Sequence, residues 1–184
     1  VYKRQVIDRV RVESFKRVRT VEIDLADINV LVGGNNSGKS SVLQGIHFFV
    51  IAAVAQREAG QATFPQDALL FCPAEDFTTL RHGGEFRNQS NFAFLNLDAT
   101  SAAGEAQDYR VRIYRGRNAG NVGCERRGSF SLGNLVVSTD RLFSVYVPGL
   151  AGVPRSEEYR AEAVIRRGVA SGDANLYLRN VLHL

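Results

Sequence analysis

The 184-residue chain contains no methionine and only two cysteines, Cys72 and Cys124. Two thiols are too few for a disulfide framework, so a reduced, cytoplasmic setting is the expectation and both cysteines read as structural. The three histidines, His47, His82 and His183, are scattered without ligand-like spacing, which argues against a metal cluster. No apolar run nears the ~18 residues of a membrane span; the stretch from Phe48 to Ala55 falls far short. The opening "VYKRQVIDRVRVE" alternates charge with valine, where a signal peptide would show a hydrophobic block. Starting at Val1 without a methionine, and running to "LYLRNVLHL" without a helix stop signal, the chain reads as the N-terminal segment of something longer.

What is present is an ordinary globular composition, 45% hydrophobic and 23% charged, with a formal charge of +4 and a pI near 9.3. That mild basic excess suits a polyanionic partner without requiring one. "QVIDRVRVE" and "TVEIDL" alternate apolar and polar residues at period two, predicting two half-buried strands, with "SFKRVR" closing a hairpin between them. "INVLV", Ile28–Val32, is a continuous β-branched run, as expected of a strand covered on both faces. Beyond a glycine turn, Val42, Leu43, Ile46, Phe49, Val50 and Ala53 recur at helical spacing and predict a mostly buried helix.

Residues 56–89 read as loop with one or two short helices. "NFAFLNLDA", "DYRVRIYRGR" and "LFSVYVP" read as strands, with "RNAGNVG" turning the chain before "CERRGSFSL". "RSEEYRAEAVIRR" and "DANLYLRNVLHL" read as two helices, the second capped by Ser171 or Asp173. The organisation expected is a lobe over residues 1–150 and the start of a helical lobe over 151–184.

One motif carries chemistry. Gly33-Gly34-Asn35-Asn36-Ser37-Gly38-Lys39-Ser40 satisfies G-x-x-x-x-G-K-[ST] at every fixed position. Gly33 and Gly38 leave room for backbone N–H groups to wrap phosphates, and the helix that follows adds its positive N-terminal end. Lys39 is expected to reach the β- and γ-phosphates, and the Ser40 hydroxyl to ligate Mg²⁺. Asn35, Asn36, Ser37 and Ser41 complete the candidate nucleotide site. Phosphate binding is favoured over a chance glycine turn because the motif is predicted to follow a strand and to open a helix.

"RVESFKRVRTVEIDLADINVLVGGNNSGKSSVLQGIHFF" resembles the N-terminus of the SMC/RecF/OLD class of ABC-type ATPases over about the first quarter of the chain. Asn29, Asn35, Ser37, Gly38, Lys39 and Ser40 match its "N-x-L-V-G-x-N-x-S-G-K-S" pattern; Phe15-Lys16 stands where a Phe-Arg pair is usual, and Ser14 replaces asparagine. The resemblance implies an α/β P-loop NTPase fold of ABC-ATPase type, with an antiparallel β subdomain and the start of a helical lobe. It further implies ATP and Mg²⁺ as cofactors, a second ATPase head as partner, and action on DNA in repair or anti-phage defence. OLD-like relatives append a Toprim nuclease.

Departures limit the carry-over. The junction "VPGLAGVP" has no glutamine to sense Mg²⁺, and no signature loop, aspartate-glutamate strand or switch histidine occurs before Leu184. Hydrolysis is therefore expected only after dimerisation and completion of the site. Two alternatives stand beside this reading: a nucleotide-gated scaffold without turnover, and a P-loop kinase of a small molecule.

Secondary signals have plainer alternatives. Arginines outnumber lysines twenty to three, and "YRVRIYRGR" puts Arg110, Arg112 and Tyr114 on one strand face. That face, with Arg115, Arg117, Arg126 and Arg127 nearby, would suit a DNA backbone or simply be a solvated strand face. Lys16, Arg17 and Arg19 are placed to reach the α-phosphate or base, although Arg17 and Arg19 fit a plain strand end equally well. Gln44 and His47 read as packing residues.

Overall fold

A computed structural model describes residues 6–148 and 157–183. Six strands form one antiparallel sheet in the order β2-β1-β4-β5-β6-β3: β1 Val6–Phe15, β2 Val18–Asp24, β3 Thr63–Pro65, β4 Ala93–Thr100, β5 Ala106–Arg115 and β6 Asn121–Gly128. Four helices accompany it: α1 Lys39–Ala59, α2 Phe130–Val136, α3 Glu162–Ala170 and α4 Leu178–Val181. The period-two pattern becomes one apolar face. Val12 pairs with Val21 on one side and Leu95 on the other, and Leu95 pairs with Val111, all on the same side of the sheet.

Helix α1 lies on that face. Phe48, Phe49, Ala52 and Ala53 are fully buried, and the Phe15 ring at the β1–β2 turn sits 5.6 Å from Phe48 and 5.7 Å from Phe49. Each of these aromatic side chains contributes roughly 2–3 kcal/mol of burial. The turn itself is unusual. Ser14 and Lys16 both adopt positive φ, 59° and 47°, and segment 80–82 holds them there through Lys16 N–H to Leu80 O (2.6 Å) and His82 N–H to Ser14 O (3.0 Å). The gain from burying Phe15 offsets the left-handed backbone on either side of it.

The structure departs from the sequence-based expectation in several places. Ile28–Val32 is not a strand. It runs as coil with Ile28, Val30 and Val32 exposed at 83%, 78% and 89%, while Leu31 packs against the core. A strand covered on both faces needs hydrogen-bonding neighbours, and no described strand pairs with it. The chain leaves the edge strand β2 instead through a turn in which the Asn29 amide brackets Ala26, donating to its O (2.7 Å) and accepting from its N–H (3.2 Å).

"LFSVYVP" is likewise coil: Phe143 packs on the main core, Leu142 on a small second cluster around Ile165 and Val169, and no strand among the described residues pairs with it. "CERRGSFSL" splits. Its first half completes β6, then Gly128 at φ 119° breaks the ladder and Ser129 caps α2 by accepting from Leu132 N–H.

Of the two C-terminal helices, the first starts only at Glu162, and residues 155–156 of that stretch lie outside the described residues. The second is a 3₁₀ turn, Ala174–Tyr177, followed by α4. Asp173 precedes it without a capping bond. The backbone N–H groups of Arg179 and Asn180 donate to the distant Glu157 carboxylate, at 3.0–3.2 Å. Segment 56–89 holds the end of α1, the short strand β3 and two 3₁₀ turns, Gln66–Ala68 and Phe77–Leu80.

Candidate nucleotide-binding site

The glycine-rich loop meets α1 at the end of the sheet where the β1–β2 turn lies. Gly38, at φ 95°, gives the left-handed step that lets the helix begin at Lys39, with Val42 N–H bonded to Gly38 O at 2.9 Å. A Cβ at Gly33 would stand 2.9 Å from Ser37 Oγ and would turn that hydroxyl aside. The loop and the first turn of α1 surround a hollow of about 320 Å³ lined by Arg17 and residues 35–41.

Lys39 is folded back onto the loop. Its Nζ donates to the carbonyls of Gly33 (2.6 Å) and Gly34 (2.7 Å), with Ser37 Oγ at 3.3 Å. Two carbonyl oxygens here hold a cation that phosphate oxygens, carrying full charge, would hold more strongly. Ser40 is exposed at the hollow and Ser41 is buried at its edge. The Ser40 hydroxyl fits one Mg²⁺ position, but no carboxylate lines the hollow, and no group of three or more His, Cys, Asp or Glu that could hold a metal occurs among the described residues. The loop thus fits phosphate better than it fits a metal on its own.

The basic residues of the hairpin separate. Arg17 lines the hollow, its Cβ next to Gly38. Lys16 turns its ammonium to Gln44 Oε1 at 2.8 Å, and Gln44 in turn reaches Tyr146 OH at 3.4 Å. Burial pulls the Lys16 pKa below its ordinary value. Sequence alone could not rank these neighbours: the left-handed residue at Lys16 decides which side chain faces the loop.

One turn further along α1, His47 is buried and bridges Ser144 Oγ (Nδ1, 3.0 Å) and Ala170 O (Nε2, 3.2 Å). A carbonyl can only accept, so Nε2 carries the proton and Nδ1 accepts from Ser144. The bridge ties the P-loop helix to the segment that leads into the small C-terminal cluster, a packing role as its sequence position suggested.

The arginine face is real in geometry but not in net charge. Arg110 and Arg112 point away from α1 with Arg9, Arg11 and Arg127, but Glu13, Glu22, Asp24, Asp98, Asp108 and Glu125 share that face by register. Arg9 pairs with Glu22 and Asp24, and Arg112 with Glu125 at 3.2 Å. Arg112 also lies 4.0 Å from the centre of the Phe92 ring, and Arg110 lies 4.8 Å from that of Phe94. Such ion-paired, stacked guanidiniums are less available to a polyanion than their number implies.

A family model described as an AAA ATPase domain matches residues 6–102, just over half of the chain and spanning β1 through β4 with the glycine loop and α1. No curated protein matches the chain.

Proposed function

The chain belongs to the AAA ATPase domain family, and from that premise we propose that Gly33–Ser41 binds the triphosphate of ATP with Mg²⁺ and that the chain serves as one part of an ATPase site. The observation that carries this is the Lys39 ammonium held by the Gly33 and Gly34 carbonyls above a hollow with no carboxylate lining. Loop amides receive the phosphate oxygens, Lys39 exchanges carbonyl partners for the β- and γ-phosphates, and Arg17 adds positive charge at the hollow's edge. Ser40 would hold Mg²⁺, which neutralises charge on the phosphates when bound. Lys16, bonded to Gln44, acts by supporting the hairpin behind the loop.

Two features favour completion of the site by further residues. No carboxylate lines the hollow to polarise water, and the exposed Ile28, Val30 and Val32 form an apolar segment leading straight into the loop. Pairing of that segment would stiffen the loop's entry. This agrees with the sequence resemblance to SMC/RecF/OLD-like ABC-type heads, in which two heads share the nucleotide and turnover is used on DNA. A DNA contact would lie away from the charge-balanced outer face of the sheet. Among the described residues no helix is long and apolar enough to cross a membrane.

The second reading, a nucleotide-gated scaffold, is favoured by the same missing carboxylate. Calorimetric titration of the chain with ATP and Mg²⁺ tests the core of the proposal. Binding that falls sharply in Lys39→Ala, without hydrolysis by the monomer, is expected; absence of any heat from ATP would overturn it, and robust monomeric turnover would remove the shared-site element.

A further inference from the structure

At the opposite end of α1 from the glycine loop, about 25 Å away at the helical rise per residue, lies a cleft of about 450 Å³. It opens where β6 runs past its short neighbour β3, so that residues from both faces of β6 meet at a free edge. Arg126 and Arg127, consecutive on the strand, both line it. Arg126 is anchored through Nε to Gln56 Oε1 at 2.5 Å, and the Arg127 side chain is 80% exposed. Glu125 lines the cleft as well, and its carboxylate is shared among Arg112 (3.2 Å), Gln89 (2.8 Å) and, more loosely, Arg127 (3.6 Å).

Two further features point to a ligand. Phe130 lines the cleft with 83% of its surface exposed, a large ring with no core to join. Tyr109 lines it as well. That residue is only 4% exposed, and its hydroxyl lies within reach of Arg126 without a well-formed hydrogen bond to it. Burial raises the phenol's pKa, with Arg126 opposing, so the group stays a neutral donor.

We propose that this cleft is a second ligand site, separate from the glycine loop, that takes a nucleoside monophosphate with its base on Phe130 and its phosphate between Arg126 and Arg127. A phosphate would take the anchored Arg126 and draw the exposed Arg127 from its loose contact with Glu125, and an exposed ring offers stacking for a base. The volume suits one nucleotide. A single-stranded nucleic acid fits less well, because the adjoining outer face carries as many carboxylates as arginines and offers a chain of phosphates no continuous track.

Equilibrium dialysis of AMP against the intact chain tests this. AMP lacks the phosphates that Lys39 would grip, so binding should be equal in wild type and Lys39→Ala and weaken on the order of tenfold in Phe130→Ala and in Arg127→Gln. Both of those side chains are exposed, so their loss leaves the fold intact; Arg126→Gln would also release Gln56 and is the less clean variant. AMP binding that disappears in Lys39→Ala, or that ignores both surface variants, overturns the proposal. So does an absence of binding at millimolar AMP, or an oligothymidylate that binds more tightly than AMP and is lost in the same variants. ATP titration of Lys39→Ala reads the glycine loop independently, so the two sites can fail separately.

Discussion

The Nζ of Lys39 sits 2.6 Å from the carbonyl oxygen of Gly33, six residues back in the chain. The loop is thereby closed on its own cation, and the proposed triphosphate would have to compete with two backbone carbonyls for it. Lys39→Ala should leave stability within about 0.5 kcal/mol, since these bonds lie at the surface. The same change should weaken ATP binding on the order of a hundredfold, because a charged partner of the phosphates is lost. Parallel urea unfolding and calorimetry separate the two effects; a large drop in stability would mean the lysine braces the loop instead of serving a ligand.

Exposure of Ile28, Val30 and Val32 yields a sharper test of the fold. Val30→Asp and Val32→Lys should each change the unfolding free energy by about 0.5 kcal/mol or less and should reduce light scattering at high concentration. A charge placed in a strand covered on both faces would instead cost about 3 kcal/mol or more. A loss of that size in the isolated chain would show that the segment is buried after all.

Phe15 links the hairpin to the P-loop helix. It is fully buried against Phe48 and Phe49 and is flanked by two left-handed residues. Phe15→Ala should cost about 3–5 kcal/mol in urea unfolding. Because Arg17 then loses its fixed position, nucleotide affinity should drop even under conditions where the variant stays folded. Unchanged affinity in folded Phe15→Ala would separate the hairpin from the site.

His47 predicts a pH dependence with a definite sign. Burial lowers its pKa below the unfolded value near 6.5, with the Ala170 carbonyl partly opposing. The unfolded chain therefore takes up the proton first. The stability contribution is complete above about pH 6.5 and is lost as the pH falls toward the folded-state value, at no more than about 1.4 kcal/mol per pH unit. Unfolding free energies at pH 7.5 and 5.5 should differ less in His47→Gln than in wild type. Equal slopes would exclude His47 as the group responsible.

Local pattern was sufficient wherever a residue's surroundings are set by its own element. The hairpin, β4, β5 and α1 follow from alternation and helical spacing, because a strand or helix with one apolar stripe has a single way to bury it. The helix that opens after the glycine loop was equally legible, but the strand expected to precede the loop is coil. α2 was not: Ser129 and the positive φ at Gly128 turn what looked like more strand into a helix, a signal present in "GSFSL" but outweighed by the run before it.

What sequence determined by itself, then, is the glycine-rich loop with its motif spacing and the stripe that seats the helix after it. Tertiary structure decided which apolar runs find partners. Ile28–Val32 and "LFSVYVP" have strand composition but no neighbour among the described residues to complete their hydrogen bonds, and composition cannot say whether a neighbour exists. It also decided the electrostatics of the sheet. Alternation put the arginines on one face, but only the register of five strands set Glu22, Asp24 and Glu125 beside them.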